Sequence, residues 1–280
     1  MKYIITEQML DEYKKYLIKE EKSNATISKY IRDIKKLMDY AKGREITKEF
    51  MAMYKKDLYI NKNYKLSSIN SFITAANSLF QYLEWYGLRI KTYHIQKEIF
   101  LPDNRNLSKK EYKKLVNSAL HNGKKRLAMI IRTLCATGIR ISELSYITME
   151  SVKKGIIDIY CKGKQRKALI PGKLQKLLLR YASENGIEKG ILFCTSSGKA
   201  VDRSNIWKEM KKLAKKSGVA EEKIFPHNLR HLFAKTFYKI DKDVMMLAGL
   251  LGHSSVETTR IYTMTTYGEH MKQLDQMELA

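Results

Sequence analysis

The chain lacks several features that define other protein classes. It has only three cysteines and three prolines, and no apolar run approaches the length needed to span a bilayer. Cys135, Cys161 and Cys194 do not have the spacing of metal ligands and are expected to be reduced thiols. The N-terminus carries acidic residues where a signal peptide would be apolar. These absences disfavour a secreted or membrane protein and predict a cytoplasmic one.

Acidic residues are also scarce relative to basic ones. Lys and Arg number 53 against 29 Asp and Glu, which gives a formal net charge of +24. An excess of this size indicates a polyanionic partner, either nucleic acid or an anionic membrane, and the lack of a membrane segment favours nucleic acid. A single lysine more often lies on a solvated helix face than at a binding site, so only the total is informative.

The first 95 residues follow helical periodicity almost throughout. After the capping residues Ser23 and Asn24, apolar side chains recur at helical spacing until Gly43. Further helices are predicted at residues 47–58 and from residue 67 or 68 to 87. Because the apolar positions form stripes, we expect the helices to pack as a small bundle.

A domain boundary is predicted where the helical pattern lapses. The segment between Phe100 and Leu107 contains Pro102, and Ser108 with Glu111 has the pattern of a capping box that starts a new helix. The lapse predicts an N-terminal domain of residues 1–100, a linker of residues 101–106 and a second domain of residues 107–280, with a tail at residues 264–280. Residues 126–136 are expected to form an apolar helix that ends at Gly138.

Only one part of the sequence has clear strand character. The segments GIIDIY at 155–160 and ALIP at 168–171 flank the basic turn CKGKQRK, which predicts a β-hairpin. The hairpin tip is expected to carry four basic side chains that could clamp a phosphate backbone, Lys162, Lys164, Arg166 and Lys167. Helices resume near Lys173, Asp202 and Pro226. The predicted fold class is therefore mainly α with a small β-hairpin.

The motif PHNLRH brings three polar side chains together. Pro226 fits a first helical turn, which places His227, Arg230 and His231 on one helix face. A zinc site of the HExxH type is disfavoured because position 228 is Asn and no glutamate stands between the histidines, so no metal is expected. In isolation, His227 would be interpreted as a helix cap and Arg230 as the partner of an acid.

Three more residues suggest chemistry only in combination. Arg140 follows the glycine-ended helix, and Glu143 could hold its guanidinium at i+3. His253 lies at a helix junction, where a histidine often satisfies backbone groups, and Tyr262 alone would be interpreted as a half-buried aromatic. Together with Arg230, however, they form a set in which arginines neutralise a phosphodiester, histidines move protons and a tyrosine attacks phosphorus.

Five ordered motifs, TGIRISEL, CKGKQRKALIP, HNLRH, LGHSS and TRIYT, resemble the tyrosine recombinase (phage integrase) family over essentially the whole chain. His253 and Tyr262 are nine residues apart, the interval that this family shows. The resemblance implies a compact, Xer-like site-specific DNA recombinase that cleaves and rejoins strands through a 3′-phosphotyrosine, without metal, ATP or other cofactor. It also implies a helical, SAM-like core-binding domain followed by a mixed α+β catalytic domain of the tyrosine recombinase type.

The resemblance assigns roles residue by residue. Tyr262 would be the nucleophile, and Arg140 and Arg230 would hold the nonbridging oxygens of the scissile phosphate. His227 would assist proton transfer, and His253 would bond the phosphate in the transition state. A phenol has a reference pKa of about 10 and is a poor nucleophile at neutral pH, so such a site must stabilise a phenolate-like oxygen as it forms.

The catalytic lysine of the family precedes the glycine of a hairpin and maps onto Lys162. This sequence has Cys161 where a glycine is usual, and Lys164 is close enough to be a rival. The lysine would protonate the departing 5′-oxygen, because an ammonium crowded by other cations loses its proton more readily.

The implied partner is double-stranded DNA, bound by a chain that is monomeric when free and forms a homotetramer on paired sites. Tyr267, Met271, Leu274 and Met277 or Glu278 follow helical spacing in the tail. The tail could pack on its own catalytic domain, whereas the resemblance implies that it docks on a neighbouring protomer. Two alternatives stay open: a type IB topoisomerase, which shares the chemistry without synapsis, and a DNA-binding regulator with a degenerate site. The target sequence and accessory proteins are not predicted.

Overall fold

The computed structural model describes residues 2–95, 106–161, 163–195, 197–252, 255–262, 271 and 275–277, without the side chains of Cys161 and Lys164. The chain divides into two compact units, Met1–Lys97 and Glu98–Ala280, and each has its own apolar core. Apart from Asn106, the predicted linker of residues 101–106 lies outside the described residues. No helix in the described part of the chain is long and apolar enough to cross a membrane.

The N-terminal unit is a bundle of helices, as the apolar stripes predict. Thr6, Ser23 and Thr47 each cap a helix by accepting a hydrogen bond from a backbone N–H three residues later. Apolar side chains such as Ile34 and Leu79 are fully buried between the helices. The bounds of the helices are α1 Glu7–Lys19, α2 Asn24–Ala41, α3 Lys48–Ile60 and α4 Leu66–Tyr82, followed by a 3-10 turn at Tyr86–Leu88.

The second unit is also mainly helical, and its core surrounds α6, whose residues are buried along most of its length. The predicted capping box is confirmed, since Ser108 and Glu111 each accept a hydrogen bond from the other's backbone N–H. Its α-helices are α5 Lys109–His121, α6 Lys125–Thr137, α7 Met149–Lys154, α8 Gly172–Glu184, α9 Arg203–Lys212, α10 Ala214–Ser217, α11 Pro226–Ile240, α12 Val244–Leu251 and α13 Val256–Thr259. Short 3-10 helices lie at Ile141–Tyr146, Glu221–Lys223 and Arg260–Tyr262.

The predicted hairpin is present, but its tip is shorter than expected. Strands β1 (Ile156–Cys161) and β2 (Lys164–Leu169) pair antiparallel, with Cys161 opposite Lys164. The prediction that Lys164, Arg166 and Lys167 belong to the tip is wrong, because these residues are part of β2. Successive strand residues point to opposite faces. Arg166 therefore faces the core beside buried Ile159, whereas Lys167 is exposed.

Candidate active site

Arg230 is the largest fully buried side chain of the described residues and lies at the centre of the site. Helix α11 begins at Pro226, as predicted, so Arg230 lies one turn after His227. Its Nη1 donates to the carbonyl oxygen of Gly138 at 2.6 Å, and its Nη2 donates to that of Leu251 at 2.7 Å. Both carbonyls lie at helix C-termini, where the last carbonyls lack helical partners and the helix dipole favours a cation.

Gly138 is required at the end of α6 for two reasons. Its φ of +65° lies in the left-handed region, which residues with a side chain rarely adopt. A Cβ atom at this position would also overlap the ring of Phe233 on α11. The glycine therefore allows α6 to end close against α11, which keeps its carbonyl within reach of Arg230.

Arg140 follows this glycine and is oriented by Glu143, as predicted. The backbone N–H of Arg140 donates to Glu143 Oε2 at 2.7 Å, and its Nη1 donates to Oε1 at 3.0 Å. The Glu143 side chain is 2% exposed, whereas that of Arg140 is 42% exposed. A buried carboxylate thus orients a guanidinium that still has accessible surface for a ligand.

Arg166 has a structural contact that the sequence reasoning did not foresee. Its Nη2 donates to Glu143 Oε2 at 2.6 Å, and its Nη1 donates to the carbonyl oxygen of Leu250 at 3.0 Å. The side chain is 13% exposed, and a Cβ atom at Gly252, where φ is +64°, would overlap it. Arg166 therefore joins the hairpin to the end of α12. The residue that could have revealed this contact from the sequence is Glu143, because an acid that lies near Arg140 can also pair with a second arginine.

Tyr262 ends the 3-10 turn Arg260–Tyr262 and is 3% exposed, so the interpretation of a half-buried aromatic is wrong. The side chain forms a hydrogen bond with Arg230. Its ring meets that of His231 at a centroid distance of 4.6 Å, and the His231 ring meets that of His227 at 4.9 Å. The fold therefore brings α11 and the turn with Tyr262 into one cluster. His231 was noticed in the sequence only as a metal-ligand alternative.

The electrostatics of the cluster suit an anion. Burial and the charge of Arg140 lower the pKa of Arg230 to about 10, so Arg230 stays charged at neutral pH. Burial and the two arginines also lower the pKa of His227, which leaves its ring neutral and able to accept a proton. The guanidiniums of Arg140 and Arg166 share the carboxylate of Glu143, and the charges of both arginines act on Arg230. The positive excess can be balanced by a phosphodiester.

Two predicted site residues, Lys162 and His253, lie outside the described residues, as does most of the predicted tail. Helix α12 ends at Leu251, and Gly252 caps it in the left-handed conformation immediately before His253. Lys164 is placed at the start of β2 without a described side chain. The assembled cluster therefore comprises Arg140, His227, Arg230 and Tyr262 of the residues predicted to be catalytic.

This chain is similar to proteins that are named recombinases. The sequence pattern of the phage integrase family matches residues 105–269, and that of the phage integrase N-terminal SAM-like domain matches residues 10–87. Tyrosine recombinase XerA of Pyrococcus furiosus is 30% identical over 277 residues, which cover 95% of this chain and 92% of the relative. The crystal structure of XerA recombinase matches with a TM-score of 0.54 at 26% identity, covering 99% of this chain and 100% of that one.

A more distant structure shares the fold. A lambda integrase tetramer bound to a Holliday junction matches with a TM-score of 0.74 at 18% identity, covering 93% of this chain and 77% of that one.

The fold and the cluster define a DNA strand-transfer enzyme with a tyrosine nucleophile. The chain belongs to the phage integrase family, the tyrosine recombinases. It is a site-specific recombinase that acts through a tyrosine-linked intermediate, and the predicted class of mainly α fold is confirmed.

Proposed function

We propose that Tyr262 is the nucleophile of this recombinase and that Arg140 and Arg230 hold the nonbridging oxygens of the scissile phosphate. The observation that carries the proposal is the hydrogen bond between Tyr262 and buried Arg230, within a cluster whose described residues include more guanidiniums than carboxylates. A phosphodiester entering this cluster supplies the missing negative charge. It also meets the Tyr262 oxygen, which already contacts a guanidinium of the cluster.

The reaction follows from these charges. The Tyr262 oxygen attacks phosphorus while the neutral ring of His227 accepts the phenolic proton, and the bond from phosphorus to the 5′-oxygen breaks. The new bond is a 3′-phosphotyrosine, which retains the energy of the phosphodiester. Arg140 and Arg230 offset the charge of the pentavalent phosphorus in the transition state, and His253 donates a hydrogen bond to it. This chemistry requires neither metal nor ATP.

We expect Lys162 to donate the proton to the departing 5′-oxygen. A substrate with a 5′-bridging phosphorothiolate has a leaving group that needs no proton, so it should restore cleavage to Lys162→Ala. The measurement is the single-turnover cleavage rate on the oxygen and sulfur substrates.

Arg140→Ala serves as the control, since its defect in stabilising the phosphorane should persist on the sulfur substrate. The same pair of rates for Lys164→Ala tests the rival residue. If the sulfur substrate restores cleavage to Lys164→Ala and not to Lys162→Ala, the general acid is Lys164.

The proposed partner is double-stranded DNA, in keeping with the net charge of +24 and the exposed Lys167 on the hairpin. Lys164 and Lys167 are proposed to contribute to the DNA-binding surface, whereas Arg166, which faces the core, is proposed to support the hairpin from inside. The lambda integrase relative assembles as a tetramer on a Holliday junction. We propose a homotetramer on paired sites for this chain, formed in the cytoplasm from free monomers.

Strand exchange between two labelled DNA sites tests the proposed function. The wild-type chain should yield joined recombinant products, and Tyr262→Phe should yield none. A type IB topoisomerase would relax a supercoiled plasmid without forming recombinants, and a DNA-binding regulator would bind without forming a covalent adduct on a nicked suicide substrate. Either of those results would overturn the assignment of recombinase activity to this site.

A further inference from the structure

His231 is the one aromatic residue of the cluster to which the chemistry above gives no role. It lies four residues after His227 on α11, and the residue is 9% exposed. Positions four apart on a helix lie above one another on the same face. The His231 ring therefore lies beside both the proposed proton acceptor and the proposed nucleophile.

His231 contacts the rings of His227 and Tyr262 in the same geometry. The planes of His231 and Tyr262 make an angle of 71° with centroids 4.6 Å apart, and those of His231 and His227 make an angle of 77° with centroids 4.9 Å apart. Both pairs are edge-to-face, the arrangement in which the positive edge of one ring meets the negative face of another. Tyr262 is thus held by its ring against His231 and by its hydroxyl against Arg230.

The nitrogen atoms of His231 show that ordinary core packing does not explain this residue. Its Nδ1 is buried and has no hydrogen-bond partner among the described residues. A leucine would fill an apolar site without burying such a nitrogen. The rings of His227 and Tyr262 pack against His231, and an aromatic face offers no oxygen or nitrogen acceptor to a buried ring nitrogen.

The charge state of His231 is set by its surroundings. Burial, together with the nearby His227, Lys235 and Arg230, lowers its pKa to about 4. The His231 ring is therefore neutral, as is that of His227, whereas Arg140 and Arg230 carry positive charge. A neutral ring can contact Tyr262 without attracting the phosphate that Arg140 and Arg230 are proposed to bind.

We propose that His231 is a positioning residue that holds the Tyr262 ring edge-to-face and so keeps its hydroxyl directed at Arg230. The proposal rests on the assignment of Tyr262 as the nucleophile. In this proposal the aromatic ring of His231 positions Tyr262, and the His231 nitrogens take no part in proton transfer. The expected effect is on the rate of attack and not on DNA affinity, because the contact orients the nucleophile only.

The test compares two replacements of the same residue in the full-length chain. His231→Leu removes the ring, and it should lower the single-turnover cleavage rate about tenfold, the scale of an edge-to-face aromatic pair. His231→Phe keeps a ring and should cleave within about threefold of the wild-type rate, because ring contact is retained. Both should bind a single DNA site with the wild-type affinity.

A spectroscopic readout separates positioning from general stability. Fluorotyrosine incorporated only at position 262 should show a shifted or broadened ¹⁹F resonance in His231→Leu and a resonance close to the wild-type one in His231→Phe. His121→Leu is the matched control, because His121 on α5 is exposed and its ring nitrogen contacts only the carbonyl of Asn117. That control should alter neither the cleavage rate nor the resonance.

The outcomes of these experiments support or overturn the positioning role of His231. The positioning role is overturned if His231→Leu, folded by its melting temperature and DNA affinity, cleaves at the wild-type rate. It is equally overturned if His231→Phe is as slow as His231→Leu, since the nitrogens would then be essential. Should the leucine variant not fold, His231→Asn replaces it and the phenylalanine criterion still applies. Adduct formation by Tyr262→Phe would instead overturn the assignment of the nucleophile.

Discussion

Tyr262→Phe should abolish the covalent protein–DNA adduct and leave DNA affinity nearly unchanged. Only the hydroxyl is lost, and the ring that packs against His231 is retained. The buried site also loses the hydrogen bond to Arg230, but no carbonyl of Gly138 or Leu251 loses its partner. Adduct formation is measured on a nicked suicide substrate by denaturing gel electrophoresis, and affinity is measured by mobility shift.

Tyr267→Phe is the matched control for this experiment, because Tyr267 is the nearest tyrosine after Tyr262 in the sequence. It should form the adduct at the wild-type level. If Tyr262→Phe still forms the adduct and Tyr267→Phe does not, the nucleophile is Tyr267.

Arg140→Ala should slow single-turnover cleavage by a factor on the order of 100 or more, as expected when one preorganised charge contact to a transition state is removed. Its side chain is partly exposed and its one ion pair in the described structure is with Glu143. Because Glu143 keeps its contact with Arg166, the variant should remain folded. Wild-type cleavage with weakened DNA binding would make Arg140 a residue that only holds DNA.

Arg230→Ala should slow cleavage at least as much, but this variant should also lower the stability of the protein. The carbonyls of Gly138 and Leu251 would lose their donors in the interior, which destabilises the protein. Arg230→Lys keeps the positive charge and cannot bridge both carbonyls and the Tyr262 oxygen with one planar group. It should therefore fold better than Arg230→Ala and still cleave slowly.

The control for both arginines is Lys167→Ala, which removes an exposed positive charge from the hairpin. It should weaken DNA affinity, with a stronger effect at low salt, and should not change the cleavage rate of bound DNA. A slow rate for this variant would show that any loss of positive charge in the unit impairs cleavage.

Local signals in the sequence predicted much of the secondary structure. The cap at Ser23 and the capping box of Ser108 with Glu111 act within a few residues, so a sequence pattern alone reveals them. The contact of Arg140 with Glu143 could be predicted for the same reason, since three positions separate them. Lys162 and His253 stay predictions that rest on the resemblance of their motifs to the family.

Tertiary structure alone decided the contacts between distant segments. The pairing of Arg230 with the carbonyl of Gly138 joins residues 92 positions apart, and that of Arg166 with the carbonyl of Leu250 joins residues 84 positions apart. The inward direction of Arg166 depended on the strand register, because a shift of one residue exchanges the two faces of a strand.

The sequence by itself therefore determined which residues could perform the chemistry, because residue type and spacing along the chain carry that information. Tertiary structure decided which of them meet and what orients them. Tyr262 meets His231 only because the turn after α13 packs on α11, and that packing depends on burial of side chains from several helices at once. No single segment of the sequence contains that information.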